Sequence, residues 1–194
     1  MRKLGWLVVA VVCGVVLQPV VGRGQGGQLS VPLRLTAFAV NMSNTGTGNN
    51  AVVEIRITRW STEAERQRLV TTFVEKGPTK LLDALQDTNP VGFIKLPTTL
   101  GYDLRFARQT SVDDGGTRIV IVTDRPIPEW EARTQARTLD YPFTLIDIRL
   151  KKDGTGEGKL SVATKLTLNK KDNLVELENW ESEPVRLTTI KIDK

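Results

Sequence analysis

The stretch at residues 143–192 constrains the fold most, because its apolar side chains recur at every second position between short polar turns. From residue 160 to residue 168, aliphatic side chains alternate with polar or small ones, which is the period of a strand with one buried and one wet face. Glycine, asparagine and charged residues at 151–158, 169–173 and 181–184 supply the reversals. The sequence therefore predicts four consecutive strands joined as an antiparallel meander.

Similar strand patterns recur earlier in the chain. They lie at residues 29–42, 51–60, 92–97, 103–108 and 117–123, and the first two are expected to pair. Pro32 cannot donate to a ladder, which favours an edge position or a strand start at that point. With the meander, the count is nine candidate strands.

Residues 62–86 change to a helical period. Thr62 and Glu65 form a capping box that begins a helix, Gly77 ends it, and Pro78 begins a second short helix. The apolar side of the pair consists of Leu69, Val70, Phe73, Val74, Leu81, Leu82 and Leu85. We predict that both helices pack across the sheet or over one end of it.

These patterns define the expected fold class. Alternating strands are typical of antiparallel sheets that face solvent on one side. We therefore predict an α+β fold that is predominantly antiparallel β, with a seven- to nine-stranded barrel or sandwich and a helical pair packed on it. No fixed-spacing repeat or linker interrupts residues 25–194, which we predict to form a single β-rich domain.

The N-terminal residues have the plan of a secretory signal peptide. Arg2 and Lys3 precede an uncharged apolar run, and cleavage after Gly22 or Gly24 would suit a peptidase that requires small side chains. An uncleaved anchor is the alternative, because the run is long enough to span a bilayer. We predict a signal peptide at residues 1–24, a secreted or periplasmic protein, and no membrane span in the mature chain.

The charge balance argues against nucleic acid as the partner. The chain has 27 Lys and Arg against 22 Asp and Glu, but removal of Arg2, Lys3 and Arg23 leaves 24 basic residues. The mature chain is then nearly neutral, and no dense basic stripe with interleaved aromatics occurs. We expect an unknown small ligand or a protein as the partner, and no nucleic acid.

The available residue types exclude several kinds of catalysis. The chain has no histidine, and its single cysteine, Cys13, lies in the N-terminal apolar run. Ser-His-Asp and Cys-His nucleophile systems and nearly all zinc and copper sites are thereby excluded. We predict no catalytic residue, no metal and no cofactor. Carboxylate chemistry is the alternative, with Asp113 and Asp114, or Glu129 and Glu131, as acid and base.

A partial calcium-loop pattern begins at Asp153. Oxygen-bearing side chains alternate from this residue and a glycine occupies the sixth position. The twelfth position, which needs a bidentate carboxylate, is Thr164, and the flanking segments are strands. We therefore interpret residues 153–158 as a hairpin turn.

The segment at residues 124–142 follows neither period, and connections of this length are functional or structural plugs. Its candidate ligand-binding residues are Trp130, Arg133, Arg137 and Tyr141. Aromatic faces and guanidinium groups suit stacking on a ring or holding an anion. In the alternative, the aromatics fill the open end of the sheet and the arginines pair with the acids at 129, 131 and 140. Trp60 and Trp180 are predicted to be core or rim aromatics.

Five segments carry a resemblance to known sequences: RWSTEAER (59–66), GPTKLLDAL (77–85), DYPFTL (140–145), GEGKLSVA (156–163) and ENWESEPVRL (178–187). The chain resembles uncharacterised secreted bacterial proteins of similar length in these segments. The resemblance implies an exported bacterial protein, and it carries no activity and no site residues.

Three functions are compatible with the sequence. The leading hypothesis is an exported, non-enzymatic module that binds a small apolar or aromatic ligand, or a partner protein, near its strand ends. The alternatives are a carboxylate-based hydrolase and a structural component of the cell envelope. A deep apolar cavity would favour the first, a cleft with facing acids the second, and a filled interior the third.

Overall fold

The structure is a computed structural model that describes residues 28–40, 50–97, 100–125, 127, 142–169, 174–179 and 185–193. It contains nine strands and two helices in this part of the chain. In chain order they are β1 (Leu33–Val40), β2 (Ala51–Ile57), α1 (Glu63–Lys76), α2 (Pro78–Gln86), β3 (Gly92–Lys95), β4 (Tyr102–Ser111), β5 (Thr117–Thr123), β6 (Phe143–Leu150), β7 (Thr155–Asn169), β8 (Leu174–Asn179) and β9 (Val185–Asp193).

Eight of the strands close into an antiparallel β-barrel. Strands β1 to β6 pair in chain order, each with the next of the six. Strand β6 also pairs with β7, β7 with β9, and β9 with β1, which closes the barrel. Closure of this kind removes the open edges at which sheets aggregate. The predicted antiparallel β-rich fold and the barrel are confirmed, and so is the pairing of β1 with β2. Pro32 directly precedes β1, which agrees with a strand start there.

The predicted four-strand meander is wrong in its last step. Strand β9 does not lie beside β8 in the sheet. Strand β7 is long enough to serve both, because its residues 155–160 pair with β9 and its residues 164–169 pair with β8. Alternation identifies the two faces of a strand but not its neighbours, so the pattern does not decide which strand β9 joins.

The glycines at 156 and 158 lie inside β7, so the turn predicted at residues 151–158 is shorter than expected. A Cβ on Gly156 would collide with the carbonyl oxygen of Arg149 on β6. A Cβ on Gly158 would lie 2.7 Å from the carbonyl oxygen of Asp147, also on β6. These two glycines therefore allow β6 and β7 to approach closely. The reversal itself occupies residues 151–154.

Among the described residues, aliphatic side chains pack in the barrel interior. Inward positions on successive strands have no solvent-accessible surface, among them Leu35, Ile55, Ile94, Ile121 and Ile146. A side chain without accessible surface has no water-sized space against it. These positions therefore leave no room for a ligand between them.

Trp60 packs against this interior cluster as a partly buried side chain, in agreement with its prediction as a core or rim aromatic. Its indole Nε1–H donates to the carbonyl oxygen of Leu29 at 3.0 Å, which gives the one polar atom of the ring a partner. Trp180 lies outside the described residues.

A second apolar cluster contains residues from both helices and from three strands. Its buried members are Leu69, Phe73, Leu81, Ala84, Leu85 and Phe143, and Leu82, Phe106 and Val122 lie against it partly buried. Phe106, Val122 and Phe143 belong to β4, β5 and β6, at positions next to inward-facing residues. By the period of two, their side chains point to the outer face of the barrel.

Candidate functional site

The four predicted ligand-binding residues Trp130, Arg133, Arg137 and Tyr141 lie outside the described residues. The acids at 129, 131 and 140, with which the arginines could pair, also lie outside them. The binding role of this segment therefore stays a prediction.

Threonine hydroxyls join the two strands that flank this segment. The Oγ1 of Thr123 donates to the carbonyl oxygen of Arg125 and accepts from the backbone N–H of Thr144 at 3.1 Å. The Oγ1 of Thr144 donates to the same carbonyl at 3.2 Å. Both threonines are fully buried. The end of β5 and the start of β6 are thus held together by buried hydrogen bonds.

Asp124 is a buried carboxylate held between two arginines. Its side chain is 2% exposed and accepts from Arg105 Nε at 3.1 Å and from Arg125 Nε at 3.2 Å. Arg105 also donates from Nη1 to the carbonyl oxygen of Thr88, just after α2, at 2.9 Å. A buried carboxylate needs such pairing, because an unpaired one costs several kcal/mol in desolvation. These contacts connect β4, β5 and the end of α2, so we assign Asp124 a structural role.

The outer face of the barrel carries a charged groove of about 440 Å³ across β5, β6, β7 and β9. Four of its lining residues are cationic and two are anionic. We call it the basic groove, and its lining residues are Arg118, Asp147, Arg149, Glu157, Gly158, Lys159 and Arg186.

The strand register places like charges next to each other in the basic groove. Arg118 lies directly opposite Arg149, and Lys159 lies directly opposite Arg186. Like charges in directly opposed positions destabilise a sheet by up to about 1 kcal/mol per pair. Across β6 and β7, both charged pairs of the groove join a cation and an acid, so part of this cost is offset within the protein. With four cations and two acids, the groove keeps an excess of two positive charges.

One of the four cations is neutralised within the protein. Arg118 donates from Nε to Asp147 Oδ1 at 2.9 Å and from Nη2 to Asp147 Oδ2 at 2.7 Å. These hydrogen bonds raise the pKa of Arg118 above its ordinary value. Within the described ranges, Arg149, Lys159 and Arg186 form no ion pair. The basic groove therefore presents three exposed cations.

This arrangement suits the binding of anions. Guanidinium and ammonium groups bind carboxylate, phosphate and sulfate oxygens through charge-assisted hydrogen bonds. Of the two acids in the groove, Asp147 accepts a hydrogen bond from Arg118 on each of its carboxylate oxygens. Only Glu157 remains among the lining residues, and a carboxylate-based hydrolase needs a pair of acids with different roles.

Two other acidic residues considered from the sequence, Asp114 and Asp153, have local roles in turns. Asp114 Oδ1 accepts from the backbone N–H of Gly116 at 2.8 Å. Asp153 Oδ1 accepts from Thr155 N at 2.9 Å and from Thr155 Oγ1 at 2.7 Å, and these bonds lower the pKa of Asp153. Such contacts are typical of Asx turns and favour the hairpin interpretation over the calcium loop, with the turn at residues 151–154 and residues 155–158 in β7. Across the described residues, no group of three or more His, Cys, Asp or Glu side chains could hold a metal ion.

Sequence reasoning missed the basic groove. Its cations come from four strands and are separated by ten or more residues in the chain. Each occupies an outward position of its strand, where any polar side chain is expected, so no single segment stands out. The only signal was the clustering of Arg and Lys at outward positions of β5, β6, β7 and β9, and it has meaning only when the register is known.

Among the described residues, no helix has the length and apolar character needed to cross a membrane. No protein-family model, no curated protein and no solved structure matches this chain.

Proposed function

We propose that the protein is a non-enzymatic binding module that holds an anionic partner in the basic groove. The observation that carries this proposal is the set of three exposed cations on adjacent strands that form no ion pair with any described residue, in a groove with four cations and two acids. Electrostatic complementarity of this kind steers a partner and fixes its orientation more than it raises affinity. We therefore expect binding that weakens with ionic strength.

The filled interior supports a partner on the outer surface. The inward side chains of the barrel leave no water-sized space beside them, which argues against a small apolar ligand in this part of the lumen. Of the two kinds of partner expected from the sequence, a protein is favoured. A structural envelope component remains the second candidate function, because a filled interior fits that role as well.

The helical pair would leave the groove accessible. We propose that α1 and α2 pack on the outer face of β4, β5 and β6, with Phe143 buried beneath them; the support is the shared apolar cluster. The basic groove uses other outward positions of β5 and β6 together with β7 and β9. Its residues Arg149, Lys159 and Arg186 are exposed.

Export from the cytoplasm is part of the proposal. Its support is the charged start and apolar run at residues 1–24 and the resemblance to secreted bacterial proteins. Mass spectrometry of the protein expressed in a bacterial host with a periplasm should find an N-terminus at Arg23 or Gln25. A full-length chain in the membrane fraction would instead support the anchor.

The binding test compares two doubly substituted proteins of equal net charge. Affinity for a fluorescent glutamate-rich peptide is measured by anisotropy at low salt. Lys159→Gln/Arg186→Gln should weaken binding about 2- to 30-fold, because two exposed ion pairs contribute roughly 0.2–1 kcal/mol each. Arg34→Gln/Lys191→Gln, on β1 and β9 outside the groove, should change affinity less than about twofold.

The control variant distinguishes binding at the basic groove from attraction by the net charge of the whole protein. If both proteins lose affinity equally, the peptide is held by net charge alone and the basic groove is not the site. If neither loses affinity, the proposed function is wrong.

A further inference from the structure

We infer that the partner is a protein segment in which acidic residues are followed by an apolar side chain, and that it binds across the basic groove and an adjoining exposed patch on β1 and β2. This inference rests on the proposed function. We call Phe38, Val40 and Val52 the apolar patch.

The apolar patch lies on the outer face of the barrel, where Phe38 and Val52 are exposed and Val40 is partly buried. Phe38 is 41% exposed and Val52 is 53% exposed, and they lie directly opposite each other on β1 and β2. Thr188 on β9 lies opposite Phe38, and its Oγ1 donates to the Phe38 carbonyl oxygen at 3.2 Å. Single exposed apolar residues are ordinary, but a contiguous aromatic and aliphatic pair is a candidate contact surface.

The strand register makes the patch continuous with the groove. Lys159 on β7 lies opposite Arg186 on β9, and Arg186 lies opposite Val40 on β1. Neighbouring strands are about 4.8 Å apart, so the path from Lys159 across β9 and β1 to Val52 covers about 15 Å. An extended chain of about five residues spans that length.

The combination of charges and apolar surface selects the partner. Inorganic phosphate or a sulfated glycan could use the three cations but would leave Phe38 and Val52 in water. An acidic peptide segment supplies carboxylates for the cations and an aliphatic or aromatic side chain for the apolar patch, at a spacing that its own backbone sets. Charge complementarity therefore places the acidic residues of the peptide beside Lys159 and Arg186, and its apolar residue then contacts Phe38.

The experiment uses two fluorescent peptides of equal charge. One has glutamates at one end and a Leu-Phe pair about four residues away; in the other peptide the Leu-Phe pair is replaced by two serines. The wild-type protein should bind the Leu-Phe peptide about tenfold more tightly, because only that peptide buries apolar surface on the patch. Equal affinity for the two peptides would overturn the inference.

Substitutions locate the preference. Phe38→Thr/Val52→Thr, which keeps strand-forming residues, should reduce the tenfold preference to less than about twofold. Val70→Thr, at a 41% exposed position of α1, is the control and should keep it. Circular dichroism checks folding, and Val52→Thr alone serves if the double variant does not fold. If the variant with the substituted apolar patch still prefers the Leu-Phe peptide tenfold, the inference is overturned.

The same data separate this inference from the proposed function. If Lys159→Gln/Arg186→Gln weakens both peptides while the two bind alike, the basic groove stands and the apolar patch is overturned. If that variant changes neither affinity, the proposed function itself fails. Binding to phosphatidylglycerol vesicles that depends on Phe38, without any peptide preference, would replace the peptide by a membrane surface and also overturn the inference.

Discussion

At the scale of single residues, Asp124 shows how burial decides the strength of an ion pair. Its two arginine contacts have nearly equal lengths, 3.1 Å to Arg105 and 3.2 Å to Arg125. The Arg105 side chain is 15% exposed and that of Arg125 is 59% exposed. Arg105→Met should lower the free energy of unfolding by about 3 kcal/mol, because the buried Asp124 carboxylate then keeps only the solvent-exposed Arg125 as its partner.

The matched substitution on the same carboxylate is Arg125→Met. It should cost less than about 1 kcal/mol, as expected of a solvent-screened contact. Urea unfolding measures both values. Equal losses for the two variants would mean that Asp124 is hydrated in solution.

Thr189 is a second residue with an energetic consequence. It is exposed on β9 with a φ of 52°, which is unfavourable for a β-branched side chain. The register of β9 shifts here against both β1 and β7, as at a β-bulge. Thr189→Asn should raise the free energy of unfolding by about 0.5–1 kcal/mol, because asparagine tolerates this conformation.

Thr188→Asn is the control for the bulge. It places the same residue one position earlier, where the side-chain hydroxyl donates to Phe38 and strand propensity applies. This variant should be destabilised. A thermal melt that shows both variants destabilised would indicate a different backbone conformation at Thr189.

At the scale of elements, the start of α1 depends on one carboxylate. Glu65 accepts two hydrogen bonds from Arg59 at 3.0 and 2.9 Å and one from the backbone N–H of Thr62 at 2.7 Å. The Thr62 hydroxyl accepts from the N–H of Glu65 at 3.1 Å, which completes the predicted capping box. The hydrogen bonds from Arg59, and then that from Thr62, lower the pKa of Glu65 to about 2.

A lowered carboxyl pKa makes the stability of α1 pH-dependent. The contribution of Glu65 is complete above its unfolded pKa of about 4.5 and is lost as the pH falls towards about 2. Glu65→Gln should therefore be less stable than wild type at pH 6, and the difference should shrink between about pH 4.5 and pH 2. Denaturant unfolding across this pH range measures it.

Glu75→Gln, at an exposed position in the last turn of α1, is the control for removing one carboxylate from this helix. A gap between wild type and Glu65→Gln that stays constant down to pH 2 would contradict the role assigned to Glu65.

The elements differ in how far the sequence predicts them. Strand β5 and helix α1 are predicted well, because alternating aliphatic residues and a capping box are local signals that the packing reinforces. The start of β7 is not, because Gly156 and Gly158 resemble turn residues although they permit close packing of two strands. The partner of β9 is also missed, since pairing is decided by distant residues that compete for the same strand.

At the scale of the whole molecule, the candidate site depends on information that the sequence does not display. Arg118 and Lys159 become neighbours only because β5, β6 and β7 pair in one register around the barrel. A shift of one residue would turn both side chains into the apolar interior. Among the described residues, the same closure that brings the cations together also packs aliphatic side chains between the strands. The candidate site that this part of the barrel offers therefore lies on the outer wall.

The filled lumen gives a test of the whole architecture. Ile121 is fully buried and lies opposite Ala107 and Ile146, which are also fully buried, whereas its neighbour Val120 points outward. Ile121→Ala should lower the free energy of unfolding by about 2–5 kcal/mol through lost burial and a residual cavity. Val120→Ala should cost less than about 1.5 kcal/mol, because its side chain is only partly buried.

The cavity left by Ile121→Ala provides a second measurement. Dry apolar cavities take up xenon, so xenon should shift methyl resonances around position 121 in the variant and leave those of the wild type unchanged. Xenon-dependent shifts in the wild-type interior would reveal an apolar cavity there. In that case a small apolar ligand would again be the better partner. The argument from a filled interior for a site on the outer surface would then fail.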